Sequence, residues 1–303
     1  MDASMPLTMN KRALLIINPV SGKRMVLRYI PQILRSFMEA GYQVTTMVTA
    51  RRGEATAFAR RYGGEYDLVC CTGGDGTLNE TLTGLASANL SVPLGYIPCG
   101  STNDFAISRH LSTDIPTAAR NIAEGKLTRY DVGRFGADHY FAYVAAFGVF
   151  SWLSYTTDQN LKNVLGHTAY ILDGIKDLPK IKPYYVKIIA DDTVHADNYL
   201  FGAVCNSTSI AGTLELPRSM VDTCDGQFEV LLIREPKTLM DLDSIVRSLV
   251  NQDFVSPFID FFRARKIQVI NPPDLDWTVD GEYPGHFDQV DISVLPGFLQ
   301  LRG

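Results

Sequence analysis

A strand-like run that ends in glycines and opens a helix constrains this chain more than any other feature. Tyr66-Asp67-Leu68-Val69-Cys70-Cys71 is apolar enough for a buried parallel strand, and Leu78, Leu82 and Leu85 repeat as one face of a helix. Between the two stands Thr72-Gly73-Gly74-Asp75-Gly76-Thr77-Leu78-Asn79-Glu80. A glycine turn at that junction lets an anion approach the backbone, where N–H groups and the partial positive charge of the helix N-terminus meet it. Asp75 places a carboxylate at the same spot. A bare phosphate would be repelled by it, so a Mg²⁺ ion or an ordered water is expected between them. Thr77 and Asn79 supply neutral donors. The plainer alternative is a tight turn with Asp75 capping the helix. The run is not a Walker A loop, because no Gly-Lys-Ser/Thr follows, and its spacing is not that of the dinucleotide fingerprint.

Around this run strands alternate with helices. Residues 13–18 predict a strand, Leu27–Ala40 a helix stopped by Gly41, Tyr42–Thr49 a strand, Gly53–Tyr62 a helix, Pro93–Pro98 a strand and Thr113–Glu124 a helix. Such alternation means an α/β domain with a parallel sheet. Ligands of these sheets bind beyond the carboxyl ends of the strands. The loops Asn18–Lys23, Gly73–Thr77 and Gly100–Asp104 should therefore gather on one edge. The phosphate-side candidates are Asn18, Gly22, Lys23, Thr49, Gly73, Gly74, Asp75, Gly76, Thr77 and Ser101.

After Leu127 the pattern changes. Arg129–Arg134, Tyr140–Phe147, Tyr184–Ile189, Tyr199–Asn206, Gln227–Ile233 and Lys266–Asn271 read as strands, with helices only at about Leu161–Leu178 and Leu239–Val250. This predicts a mostly antiparallel β domain, a sandwich or barrel. The division expected is 1–130 and 131–303, with Val290–Leu295 and Phe298–Arg302 as last strands that pack back on the first domain.

Two acidic turns in this second half could carry chemistry. Asp280-Gly281-Glu282 follows a short strand, Asp276–Val279. Asp-Gly there is first of all a tight hairpin. If the turn faces the nucleotide edge, Glu282 could take a proton from a substrate hydroxyl while Asp280 meets a metal. Asp222-Thr223-Cys224-Asp225-Gly226-Gln227 is again a hairpin, or a hard-cation site of carboxylate and carbonyl oxygens with Asp225 as side-chain ligand. The five histidines form no close pair, so no triad or histidine-metal role is expected of them.

Composition narrows the class. In 303 residues, 46% are hydrophobic and the net charge is −5, which supports ordinary cores and argues against non-specific nucleic-acid binding. The cysteines are odd in number and lack CxxC spacing, as expected of reduced thiols in a cytoplasmic protein. No apolar run approaches a membrane span, and Met1–Asn10 shows no signal pattern. A lipid substrate would be met from the water side.

Taken in order, Asn18-Pro19-Val20-Ser21-Gly22-Lys23, Gly73 to Glu80, Pro98-Cys99-Gly100-Ser101-Thr102-Asn103-Asp104-Phe105-Ala106, Asp131-Val132-Gly133, Asp225-Gly226 and Asp280-Gly281-Glu282 resemble the diacylglycerol kinase catalytic-domain family. The branch they resemble most is that of the soluble bacterial lipid kinases, diacylglycerol and sphingosine-kinase-like. The resemblance runs from about Arg12 to the C-terminus, and its glycine motif is shared with phosphofructokinases and NAD kinases. It implies a phosphofructokinase-like or NAD-kinase-like first domain, a β-sandwich second domain, ATP at the cleft, and Mg²⁺-assisted transfer of the γ-phosphoryl group to a lipid hydroxyl in phospholipid metabolism. Gly74, Asp75, Gly76, Thr77, Leu78, Asn79 and Glu80 would hold phosphates, with Thr49 and Ser101 near the nucleotide. Asp75, Asp104 and Asp131 would resemble an acidic Mg²⁺-and-water network, and Glu282 the general base. Asp225 would match a Mg²⁺ ligand, with carbonyls at Asp222 and Gln227, although the stretch Val221–Asp225 is more polar than the family's apolar run. Acceptor tails would lie along Phe147, Val149, Phe150, Trp152, Leu153 and Tyr155, a stretch that ordinary core or a flap would equally explain. The protein is expected to be cytoplasmic and peripheral to the inner membrane face, with a homodimer a plausible assembly. A kinase of a soluble acceptor and a catalytically silent binding protein are the alternatives.

Overall fold

Leu14, Leu15, Ile16 and Ile17 are apolar without alternation, as a strand covered on both faces requires, and they close the first strand, β1 (Lys11–Ile17). In the computed structural model, which describes residues 10–148, 182–210, 214–217 and 219–303, the chain divides into two units. One is Met1–Asp131 with Gly297–Gly303, the other Val132–Pro296.

The first unit continues through α1 (Val26–Glu39), β2 (Tyr42–Val48), α2 (Glu54–Tyr62), β3 (Leu68–Gly73), α3 (Asp75–Ser87), β4 (Leu94–Pro98), α4 (Asp104–Ser108) and α5 (Ile115–Glu124). β1 pairs in parallel with β2 on one side and β3 on the other, and β3 pairs in parallel with β4. The order is thus β2-β1-β3-β4. The chain leaves β1 toward β2 and returns to the other side of β1 with β3, so the order reverses between β1 and β3. In a doubly wound sheet the ligand crevice opens at that point. Ile33 and Phe37 of α1, with Ala119 and Ile122 of α5, fill the core beneath β1 and β3. α2 and α3 approach so closely that a Cβ on Gly84 would lie 2.5 Å from the Thr56 carbonyl oxygen.

The second unit is β-rich and mostly antiparallel. β5 (Leu127–Phe135) enters it and pairs with β6 (His139–Phe141); β7 (Val144–Gly148), β8 (Tyr184–Ala190), β9 (Thr193–Cys205), β10 (Ser209–Ile210), β11 (Leu214–Glu215) and β12 (Phe228–Arg234) follow. Then come α6 (Leu239–Val250), β13 (Ile259–Ala264), β14 (Lys266–Ile270), β15 (Trp277–Val279) and β16 (Gln289–Arg302). The ladder β13-β12-β9-β8-β14-β16 is antiparallel, and β7 joins β9 to β15. Trp277 centres the core, edge-on to Phe135 at 5.2 Å and Phe147 at 4.9 Å, with its indole N–H donated to Asn271 Oδ1 at 3.2 Å.

Several expected elements change. Tyr140–Phe147 is not one strand. It breaks at Ala142 and Tyr143, whose N–H groups are taken by the Asp280 carboxylate and whose carbonyls are taken by Asn206. The strand expected at Tyr199 begins at Thr193, because a two-residue turn at Asp191 (φ +46°) pairs Ala190 with Thr193. The two last strands are one, β16, running through Pro296 and Gly297; Leu301 pairs with Leu94 in the first unit, and Val290 with Val269 in the second. β13 and α4 are additional. The helix expected at Leu161–Leu178 and the apolar residues Val149, Phe150, Trp152, Leu153 and Tyr155 lie outside the described residues.

Candidate active site

The first unit brings together Asn18, Gly73–Thr77 and Gly100–Asp104 beyond the ends of β1, β3 and β4. Asn18 follows the last residue of β1. Its N–H donates to Thr72 O (3.0 Å) and its side-chain amide to Thr77 Oγ1 (3.0 Å), so the first loop is tied to the glycine turn at the switch between β1 and β3. Ser21 donates to Cys99 O at 3.1 Å. Gly22, at φ +53°, packs its Cα against the same carbonyl, leaving no room for a Cβ.

Gly74 and Gly100 lie backbone against backbone. A Cβ on Gly100 would sit 2.5 Å from the Cα of Gly74. Asn103, in the left-handed region at φ +55°, closes the third loop by accepting the Gly100 N–H at 2.8 Å and returning its amide to Gly100 O at 3.1 Å. The Tyr96 hydroxyl stands 3.3 Å from both Asn103 Oδ1 and Gly73 O. Asn103 and Tyr96 were not among the expected site residues. Asn is the non-glycine residue that enters the left-handed region most readily, which was the available signal.

Asp75 does not cap its own helix. The N-cap of α3 is Gly74, which makes no side-chain cap bond. The Asp75 carboxylate instead accepts the N–H groups of Asp104 (3.0 Å) and Phe105 (3.2 Å), binding the second loop to the third. Burial raises its pKa above the ordinary carboxylate range, and those N–H groups oppose the shift. The 13-residue helix α3 therefore presents its N-terminal N–H groups beside glycine backbone, which is the arrangement that holds phosphate.

Other expected residues have mainly local partners. The Thr49 hydroxyl donates to Ile17 O at 3.3 Å. Glu80 accepts the Gly53 N–H at 2.9 Å, joining α3 to the start of α2. Gly76, Leu78 and Asn79 lie in the first turns of α3; Ser101 is exposed. Asp131, fully buried, accepts the Gly297 N–H at 2.7 Å.

In the second unit, Asp280-Gly281 is a two-residue hairpin. Val279 and Glu282 exchange backbone hydrogen bonds of 2.8 and 3.0 Å, with φ +47° at Asp280 and +83° at Gly281. Asp280 is buried, and its carboxylate accepts three consecutive N–H groups, from Ala142 (2.7 Å), Tyr143 (3.1 Å) and Val144 (3.1 Å). Those bonds give the Asp280 carboxylate a structural role. It fixes the turn from which Glu282, half-buried, projects.

The third acidic turn is built from side chain to backbone. Asp222 accepts the Cys224 N–H and Asp225 the Gln227 N–H, both at 3.0 Å. Beside it lies Glu229, 1% exposed, whose carboxyl burial pushes up to about 7. Glu229 and its partner Arg263 had no signal in the sequence. Among the described residues, no three acidic, histidine or cysteine side chains converge as a metal cluster, and no helix is long and apolar enough to cross a membrane.

Similarity to known proteins follows the two units. Residues 12–135 match the diacylglycerol kinase catalytic domain, and residues 145–303 the YegS C-terminal NAD kinase beta sandwich-like domain. A diacylglycerol kinase of Staphylococcus saprophyticus is 36% identical over 298 residues, 97% of this chain and 94% of that one. One of Staphylococcus epidermidis is 35% identical over 280 residues, 91% of this chain and 87% of that one. A crystal structure of a diacylglycerol kinase from Bacillus anthracis shares the fold, with TM-score 0.74 at 21% identity and 96% of each chain covered.

Proposed function

Because the chain belongs to the diacylglycerol kinase family of lipid kinases, we propose that it transfers the γ-phosphoryl group of ATP to the hydroxyl of a lipid, diacylglycerol before other acceptors. The observation that carries the reading is the terminus of α3 at the sheet's switch point. It has no side-chain cap, stands against the Gly74–Gly100 contact, and has its only first-turn carboxylate turned to Asp104 and Phe105. A phosphate chain can approach that terminus with no capping side chain in its way.

Phosphoryl transfer asks little covalent chemistry of the protein. Positioning and charge neutralisation dominate. In this reading Gly74–Thr77 hold the phosphates, while Asn18 and Asn103 keep the loops in register. A carboxylate has about four lone-pair sites, and Asp75 uses two on N–H groups. It therefore fits a divalent cation, or its water, alongside Asp104; when bound, the ion would neutralise charge on the phosphates. Glu282 accepts the acceptor hydroxyl's proton, and Asp280 positions it. The enzyme would work from the cytoplasm as a peripheral protein at the membrane's inner face.

The test is ATP consumption with Mg²⁺ against lipid hydroxyls in mixed micelles, with NAD and sugar phosphates alongside. Transfer to a lipid is expected. In Glu282→Gln turnover should fall by about 10²–10⁴-fold with ATP affinity retained. Near-normal turnover would remove the base assignment. Transfer to soluble acceptors alone would overturn the lipid reading.

A further inference from the structure

The Asp222–Gln227 turn has the donor set of a hard-cation site, yet a cation of the chain's own lies in it. β12 and β13 are antiparallel neighbours, and their register sets Glu229 directly opposite Arg263. The Arg263 guanidinium faces three acceptors at once. Nε lies 3.3 Å from Glu229 Oε1, Nη1 lies 3.5 Å from Asp225 Oδ2, and Nη2 donates to the Met220 carbonyl. Two carboxylates and a main-chain carbonyl are what a Ca²⁺ or Mg²⁺ site gathers. Here they surround a planar cation with donors in a fixed fork.

Neither Glu229 oxygen meets strict hydrogen-bond geometry among the described residues. The charge of Arg263 is the largest influence offsetting the burial of this carboxylate, with the N–H groups of Asp222 and Glu229 adding to it and Asp225 opposing. A buried carboxylate left without its partner is strongly destabilising. A divalent ion on Asp225 would meet the guanidinium on the same oxygens. The residues thus do not fit a metal at this turn in the way the family resemblance implies.

We infer that Arg263 takes the place of a divalent cation at the Asp222–Gln227 turn, so that the second unit holds this turn with a guanidinium and needs no metal there. The reading is independent of the proposed activity. Thr223 and Cys224 lie between the two turn-forming aspartates, Asp222 and Asp225, and the cross-strand Arg263 clamps Asp225 to β13. A metal-bound turn would make its stability depend on divalent ions; a guanidinium-bound turn does not.

The experiment measures bound Mn²⁺ per chain by equilibrium dialysis without nucleotide, and thermal melting in chelator or in Mg²⁺, on the whole protein. Wild type and Asp225→Asn should bind equal Mn²⁺, and wild type should melt at the same temperature with chelator as with Mg²⁺ once the shift common to both proteins is subtracted. Arg263→Gln should melt lower in chelator, gain one Asp225-dependent Mn²⁺ and recover part of its melting temperature in Mg²⁺. Wild type that binds one more Mn²⁺ than Asp225→Asn, or that loses an Asp225-dependent part of its melting temperature in chelator, would overturn the inference. Should Arg263→Gln fail to fold, these wild-type measurements decide the matter alone.

Discussion

Asp75 and Asp280 each precede a glycine, and each turns its carboxylate onto backbone N–H groups. Their settings differ. Asp75, half-buried, joins two loops of one sheet edge through two N–H groups, and in doing so stays off the terminus of its own helix. Asp280, buried at 5% exposure, takes three consecutive N–H groups from a chain stretch far away in sequence and holds a hairpin rigid. The first aspartate leaves the terminus of α3 without a side-chain cap; the second fixes the turn that carries its neighbour, Glu282. In both turns the residue that reads as chemical in sequence also has a structural task, which is to hold distant backbone in place.

That contrast can be broken by experiment. The largest effect is expected at Asp280. Hydrogen bonds to a charged group contribute about 1.5–3 kcal/mol each, so Asp280→Ala, which removes three of them, should lose at least about 4.5 kcal/mol, read from the denaturant midpoint. Asp75→Ala, with two N–H partners and solvent nearby, should lose about 2 kcal/mol while weakening ATP binding. Equal losses at the two sites would erase the distinction between them.

The next effect separates crowding from backbone strain. In Gly100→Ala the new Cβ meets the backbone of Gly74 at 2.5 Å, so the loops must part. Such overpacking costs about 1–3 kcal/mol, and ATP affinity should drop with it. Gly53 has φ +84° and nothing within 4 Å of its would-be Cβ. Gly53→Ala should cost about 1 kcal/mol and leave ATP affinity unchanged. Calorimetric binding of ATP to both variants checks the pair.

The smallest effect concerns pH. His139 opens β6, the strand leading to the N–H groups that Asp280 holds, and its ring is edge-on to Phe287 at 6.1 Å. Burial lowers its pKa, with Asp138 opposing. An imidazole that titrates lower folded than unfolded contributes stability above about pH 6.5, lost as pH falls through the folded value. His139→Gln should flatten the stability–pH slope in that interval, and an unchanged slope would assign it elsewhere.

Much of the first unit was legible because its signals are local. An apolar run, a glycine turn and a helical face lie within some twenty residues of one another, from Tyr66 to Leu85, and the alternation of strand and helix implies the parallel order that puts those loops on one edge. The β unit was read less well for the same reason reversed. Tyr140–Phe147 alternates like a single strand, but two of its residues are drawn out by Asp280 and Asn206. Pro296-Gly297 looked like a stop between strands, and β16 continues through it because its two ends find partners in different units.

By itself the sequence determined what short-range sterics decide: an Asp-Gly pair that turns a hairpin through two positive φ angles, glycines where backbone must meet backbone, and the family to which these motifs belong. Only the tertiary structure decided the partners of the charges. That Asp280 would take N–H groups 136 to 138 residues away, or that Arg263 would stand opposite Glu229 and against Asp225, follows from strand register. Register is set by the packing of whole faces, and no local residue pattern encodes it.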